Sequence, residues 1–179
     1  TKSGHVRTIE CKPNVNNIIN IKASELQKWG QEKESQSGSN VDITGLGSTG
    51  SVTFNIEYDV ATEFTKPHFT INGTGTGGYD VTGGRILLNF GTQQGEITFG
   101  ELYSGTILAP NATVDIYTTH NGSVFADTVE NINGEIHKNP WKPGNGNRNQ
   151  QSVKVTLKGT KTLNGASAQK DAFSFLLQQ

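Results

Sequence analysis

The strongest constraint on this chain's fold is a repeat. Gly105-Thr-Ile-Leu-Ala109 and Gly122-Ser-Val-Phe-Ala126 share one pattern seventeen positions apart, and Gly134-Glu-Ile-His137 echoes it. A glycine followed by a small, β-branched, apolar rung at a short period marks a chain wound in coils. Each coil stacks on its neighbour and buries a strip of side chains that it could not bury alone. Folds of this kind bind or reach more often than they catalyse.

Composition agrees. Twenty-two glycines and an aromatic content of 8% predict short strands and many turns, an all-β fold. The 179 residues suffice for one core and a second, partial domain. Fifteen basic and sixteen acidic side chains give a net charge of −1 with no block of one sign, which argues against nucleic acid as a partner. Cys11 is alone, so neither a disulfide framework nor a multi-thiolate metal site can be assembled; a core position is expected for it. No apolar run approaches the roughly 18 residues of a membrane span, so no membrane insertion is expected. The chain contains no methionine and is expected to be a processed piece of a larger protein.

Asn17-Ile-Ile-Asn-Ile21 reads as a strand, and Ser24-Glu-Leu-Gln27 forms a capping-box pattern that opens a helix running to about Lys33, with Leu26 and Trp29 on its apolar stripe. Val41 and Ile43, then Val52, Phe54, Ile56 and Tyr58, alternate as half-buried strands do. Ile86-Leu-Leu-Asn-Phe90, flanked by glycines, reads as a strand buried on both faces in the middle of the fold. Asn-Gly pairs at Asn72, Asn121, Asn133, Asn145 and Asn164 predict tight turns. Residues 140–151, with two prolines and no apolar period, read as a linker between a module over 1–139 and a different segment over 152–179. There Val153, Val155 and Leu157 alternate with polar residues, and Phe173 and Phe175 share a face after a turn. A lone hairpin does not hold together in water, so this tail is read as the start of a truncated second domain, or as an element that pairs with another molecule.

The run Gly105-Thr-Ile-Leu-Ala-Pro-Asn-Ala-Thr-Val114, continued by Asn121-Gly-Ser-Val-Phe-Ala126 and Gly134-Glu-Ile-His137 and preceded by Ile86-Leu-Leu-Asn-Phe90, resembles the choice-of-anchor A domain of bacterial surface adhesins, over about Ile18 to Trp141. The Gly-x-Ile-Leu-Ala rung is also similar to that of ice-binding β-solenoids. The resemblance implies a right-handed β-solenoid (β-helix) with one short helix, carried extracellularly on a Gram-positive cell surface and anchored to the cell wall in the full-length protein. It brings no catalytic residues and no cofactor.

The tail Val155-Thr-Leu-Lys-Gly-Thr-Lys-Thr-Leu-Asn-Gly165 with Phe173-Ser-Phe175 resembles the first hairpin of streptococcal pilin-type linkage domains. In that family a strand lysine attacks an asparagine side chain to form an intramolecular isopeptide bond, and the matching position is Lys161. Val153, Val155, Leu157 and Lys161 share parity and so one strand face. A lysine forced into an apolar interior loses its proton readily and becomes a usable nucleophile. Its partner strand is not in this chain, so here the bond is expected to be unmade.

Other candidates weigh less. Gly73-Thr-Gly-Thr-Gly-Gly78 lacks the following helix and the Lys-Ser/Thr pair of a phosphate loop and reads as a turn. His5, His68, His120 and His137 show no zinc spacing. His137, two residues from Glu135, reads as a hydrogen-bonding cap of the last coil. Asp80 and Asp115 have threonines nearby but no calcium-loop spacing. Asp59 and Glu63, four apart on strand and loop, need not converge as glycosidase carboxylates must. Thr74, Thr76, Thr118 and Thr119 are scattered pairs, short of the ladder that ice recognition requires. No metal site and no catalytic residue is predicted, and no ligand-binding residue can be named. The expected function is a non-enzymatic adhesin module binding a host or environmental surface protein or glycan. The alternatives are an ice-binding β-solenoid, a polysaccharide-active β-helix enzyme and a purely structural spacer.

Overall fold

The computed structural model describes residues 7–31, 41–60, 63–64, 67–75, 81–100, 103–131 and 133–144. All lie in the first of two units into which the chain divides, Thr1–Arg148. Lys161 and the hairpin expected over 152–179 lie outside the described residues, as do His5, Asp80, Thr76 and the Asn-Gly pairs at 145 and 164.

The fold is mostly β, with one helix and a curled parallel sheet. The strands are β1 (Arg7–Glu10), β2 (Asn16–Lys22), β3 (Val41–Thr44), β4 (Ser51–Glu57), β5 (Phe69–Ile71), β6 (Thr74–Gly75), β7 (Ile86–Asn89), β8 (Gly95–Phe99), β9 (Tyr103–Ser104), β10 (Thr106–Ile116), β11 (His120–Asn121), β12 (Val124–Asn131) and β13 (Ile136–His137), and the helix is α1 (Ala23–Gln31). The largest sheet runs β12-β10-β7-β4-β2, with β8 also against β10. A second runs β1-β3-β5-β6 and a third β13-β11-β9. Among the described residues only β5 and β6 pair antiparallel.

The seventeen-residue repeat is a register. Ile107 lies opposite Val124, Leu108 opposite Phe125, and Ala109 opposite Ala126. The glycines stack: Gly105 N–H donates to Asn121 O at 2.9 Å, and a Cβ on Gly122 would land on the Gly105 carbonyl. The Gly134 echo follows, with Asn121 opposite His137. Inward-pointing rows form the core. Ile19, Phe54, Leu88, Ile107 and Val124 line one, and Ile9, Ile43 and Ile71 another. Phe64, Phe90 and Phe99 meet edge to face at 5.7–6.3 Å, the arrangement ring quadrupoles favour.

Four local expectations need correction. The capping box does not form: α1 begins at Ala23, and the Ser24 N–H donates to Asp59 Oδ1 at 2.7 Å while the Ser24 hydroxyl donates to Asp59 Oδ2 at 2.7 Å. A carboxylate at a helix N-terminus is both a charge-assisted acceptor and a partner for the helix dipole, so it displaces the neutral local cap. β7 is central in its sheet, yet Leu87 and Asn89 are only half-buried, so it is not covered on both faces. In β4, by contrast, Ser51 and Thr53 on the outward side are as buried as Val52 and Phe54. Of the Asn-Gly pairs, Asn72-Gly73 makes the predicted turn with φ of 50° and 72°, whereas Asn121 is buried inside β11.

Within the segment read as a linker, residues up to Gly144 run across the starts of successive strands. Lys142 N–H donates to Gly84 O at 2.7 Å, and Gly144 N–H donates to the buried Ser51 Oγ at 2.7 Å. The Ser51 hydroxyl in turn donates to Asn16 Oδ1 at 3.0 Å.

Candidate functional site

Strand alternation sends every second residue of the largest sheet outward. Register aligns Asn20, Asn55, Asn89, Leu108 and Phe125 in one straight row across β2, β4, β7, β10 and β12. The amides bond along the row. Asn55 Nδ2 donates to Asn20 Oδ1 at 2.9 Å, Asn89 Nδ2 donates to Asn55 Oδ1 at 2.8 Å, and the Gly91 N–H ends the ladder on Asn89 Oδ1 at 3.0 Å. Each amide offers two N–H groups and two acceptor pairs, so the ladder consumes about half of that capacity and leaves the rest for other partners.

An open groove of about 650 Å³ lies over these three asparagines, with Lys22, Glu57 and Tyr58 at its side. Lys22 Nζ and Glu57 Oε1 are 3.7 Å apart, so the margin carries balanced charge. Burial pushes the Tyr58 phenol up, against a hydrogen bond from the Thr98 backbone and with a smaller push from Glu96. Its ring packs edge-on to Phe64 and Phe90, at 6.2 and 6.0 Å, which holds it rigidly beside the groove. At the far end of the row the Phe125 ring is 50% exposed.

A second outward face spans β8, β10 and β12. Its two rows are Glu96, Thr113 and Thr128, then Thr98, Asp115 and Glu130. Asp115 is only 5% exposed. Burial, a hydrogen bond that the protonated carboxyl donates to Glu96, and the charges of Glu96 and Glu130 all push its carboxyl up. Among the described residues no group of three or more His, Cys, Asp or Glu is arranged to hold a metal ion.

The remaining candidates are placed as follows. His137 Nδ1 meets Asn121 Oδ1 at 2.6 Å and its Nε2 meets Glu135 Oε2 at 2.9 Å, which makes it the hydrogen-bonding residue of β13. Both oxygens of Asp59 serve the helix, and Ser24 holds that carboxyl below its usual range. The Glu63 carboxylate lies against Gly100. Thr74 sits in β6, and Thr118 and Thr119 lie between β10 and β11. Cys11 is a free thiol, half-buried, packed against the core and raised by burial. Sequence reasoning missed the amide row. Its signal was present: Ile19-Asn20-Ile21, Phe54-Asn55-Ile56 and Leu88-Asn89-Phe90 each set an asparagine between apolar residues in a strand, where asparagine is disfavoured.

Parallel strands stacked in register carry one outward row across five levels, and the family that this chain matches makes it an adhesin-type domain. The chain belongs to the family described as "Putative Ice-binding-like adhesive domain", which matches residues 2–138. No curated protein and no solved structure matches it. Membership implies a surface-exposed role, and among the described residues no helix is long and apolar enough to cross a membrane.

Proposed function

We propose that this chain is a non-enzymatic adhesin module of a bacterial cell surface, folded as a right-handed β-solenoid, that attaches to a host or environmental protein or glycan through the outer faces of its coils. The carrying observation is the outward row across five strands, because a laterally repeating row can hold an extended surface without a deep pocket. Family membership and the stacked Gly105 and Gly122 rungs support the same reading. Contacts of this kind are individually weak, and attachment strength comes from many copies on one cell.

Ice recognition is less well supported, since the Thr113–Thr128 row is continued by Glu96 and the next row mixes Thr98 with Asp115 and Glu130. The purified chain is expected to bind members of an array of matrix proteins and glycans and to show no thermal hysteresis. Binding to nothing on such an array would overturn the adhesin reading, and hysteresis would replace it with ice binding. For the tail, the proposal is that in the intact protein the Lys161 amine attacks an asparagine carboxamide carbon with release of ammonia. The whole protein should then weigh about 17 Da less than its sequence mass, and an unchanged mass removes the bond.

A further inference from the structure

We propose that the groove over Asn20, Asn55 and Asn89, together with the exposed ring of Phe125, holds an extended neutral glycan lying across the strands. This rests on the adhesin reading and names its ligand class and its place. Neighbouring strands are about 4.8 Å apart, so the row from Asn20 to Phe125 spans about 19 Å. That length suits a linear polymer with several repeating units and exceeds what a single small ligand needs.

The chemistry of the row selects among polymers. A hydroxyl group is donor and acceptor at once, and the capacity that the ladder leaves on each amide includes both. Two ladder bonds and the Gly91 N–H fix the amide planes before any ligand arrives, which lowers the ordering cost of binding. A polyanion or polycation finds no unopposed countercharge along this row, because Lys22 is balanced by Glu57 across 3.7 Å. Phe125, half-exposed beyond Leu108, supplies an apolar platform for the C–H face of a sugar ring. A protein partner would instead call for a buried aromatic or arginine anchor at the centre of the patch, and here the centre is amide and the aromatic ring stands at one end.

The test is a titration of the isotope-labelled full chain with cellohexaose, chitohexaose and mannohexaose, following the asparagine side-chain amide resonances. At least one of these neutral oligosaccharides should shift the Asn20, Asn55 and Asn89 amides. Phe125→Ala and Asn20→Ala should each weaken it about tenfold or more. Both positions are exposed, and an unchanged backbone amide spectrum will show that the variants remain folded. The proposal is overturned if none of the three oligosaccharides moves these amides, or if binding is unaltered in both variants. A protein ligand found on the array, with silent amides here, overturns the glycan assignment and leaves the adhesin reading standing.

Discussion

Gly122 is where the repeat is tightest. A methyl group there would meet the carbonyl of Gly105, which is itself held at φ +104° with only 3.0 Å between its own would-be Cβ and the Ile86 carbonyl. Backbone cannot move aside as a flexible side chain can, so Gly122→Ala should cost about 1–3 kcal/mol. The expected signature is a lowered urea midpoint at constant slope; an unchanged midpoint would mean that the rungs are not in contact. Asp59 acts through a charge. Its carboxyl is lowered chiefly by the hydrogen bonds from Ser24, so its contribution is fully present above the ordinary aspartate range and is lost as pH falls through its depressed folded value. Asp59→Ala should loosen α1 by about 1 kcal/mol, the typical worth of a cap. Hydrogen exchange of the Ser24 amide checks this, since protection there should drop in the variant at neutral pH.

β10 is the longest strand and turns a corner. Its first half pairs with β7 and its second with β8, and its register against β12 shifts between Ala109 and Thr113, so that Pro110 and Asn111 are the extra residues on the outside of the bend. Proline at a bulge forgoes no ladder bond. Beyond the bend, Asp115 pairs with Glu130 and neighbours Glu96, and its carboxyl is raised first by burial and then by these acids. A raised carboxyl has the opposite sign to Asp59. The folded state holds the proton more tightly than the unfolded one, so stability increases as pH falls from neutrality through the raised value, and the gain is complete at the ordinary aspartate range. Asp115→Asn should stabilise the chain by about 1 kcal/mol at neutral pH, as the amide can donate to an adjacent acid. It should also flatten the rise in unfolding midpoint between neutral and mildly acidic pH, and an unaltered slope would remove Asp115 as its source.

At the scale of the molecule, the sequence carried what is periodic and local. The Gly-x-apolar rung became a register, the alternation in Val41–Ile43 and Val52–Ile56 became core rows, and Asn72-Gly73 became a hairpin turn. What was not legible depended on partners far along the chain. Asp59 reaches Ser24 from 35 residues away, and Arg85 Nε donates to Gly50 O at 2.6 Å and its Nη2 to Gly47 O at 2.7 Å, closing a corner that nothing nearby foretold. The asparagine row was hidden because its members are 34 and 35 residues apart, too far for a pattern read within one strand. The segment after β13 is the largest instance, since a stretch without apolar period can still be held by its backbone. Lys142 bonds to Gly84 O, and Gly144 bonds to Ser51 Oγ, so this segment ties the levels of β13, β7 and β4 together along the stack. Amides held in such hydrogen bonds exchange only when the surrounding structure opens. The Lys142 and Gly144 amides should therefore exchange with solvent as slowly as core amides such as Phe54, and Ser51→Ala should speed Gly144 selectively, by removing its acceptor while leaving the Gly84 carbonyl in place. Intrinsic exchange rates at both amides would return these residues to the role of a free linker, and equal acceleration at both in Ser51→Ala would mean that the strap lifts as one piece.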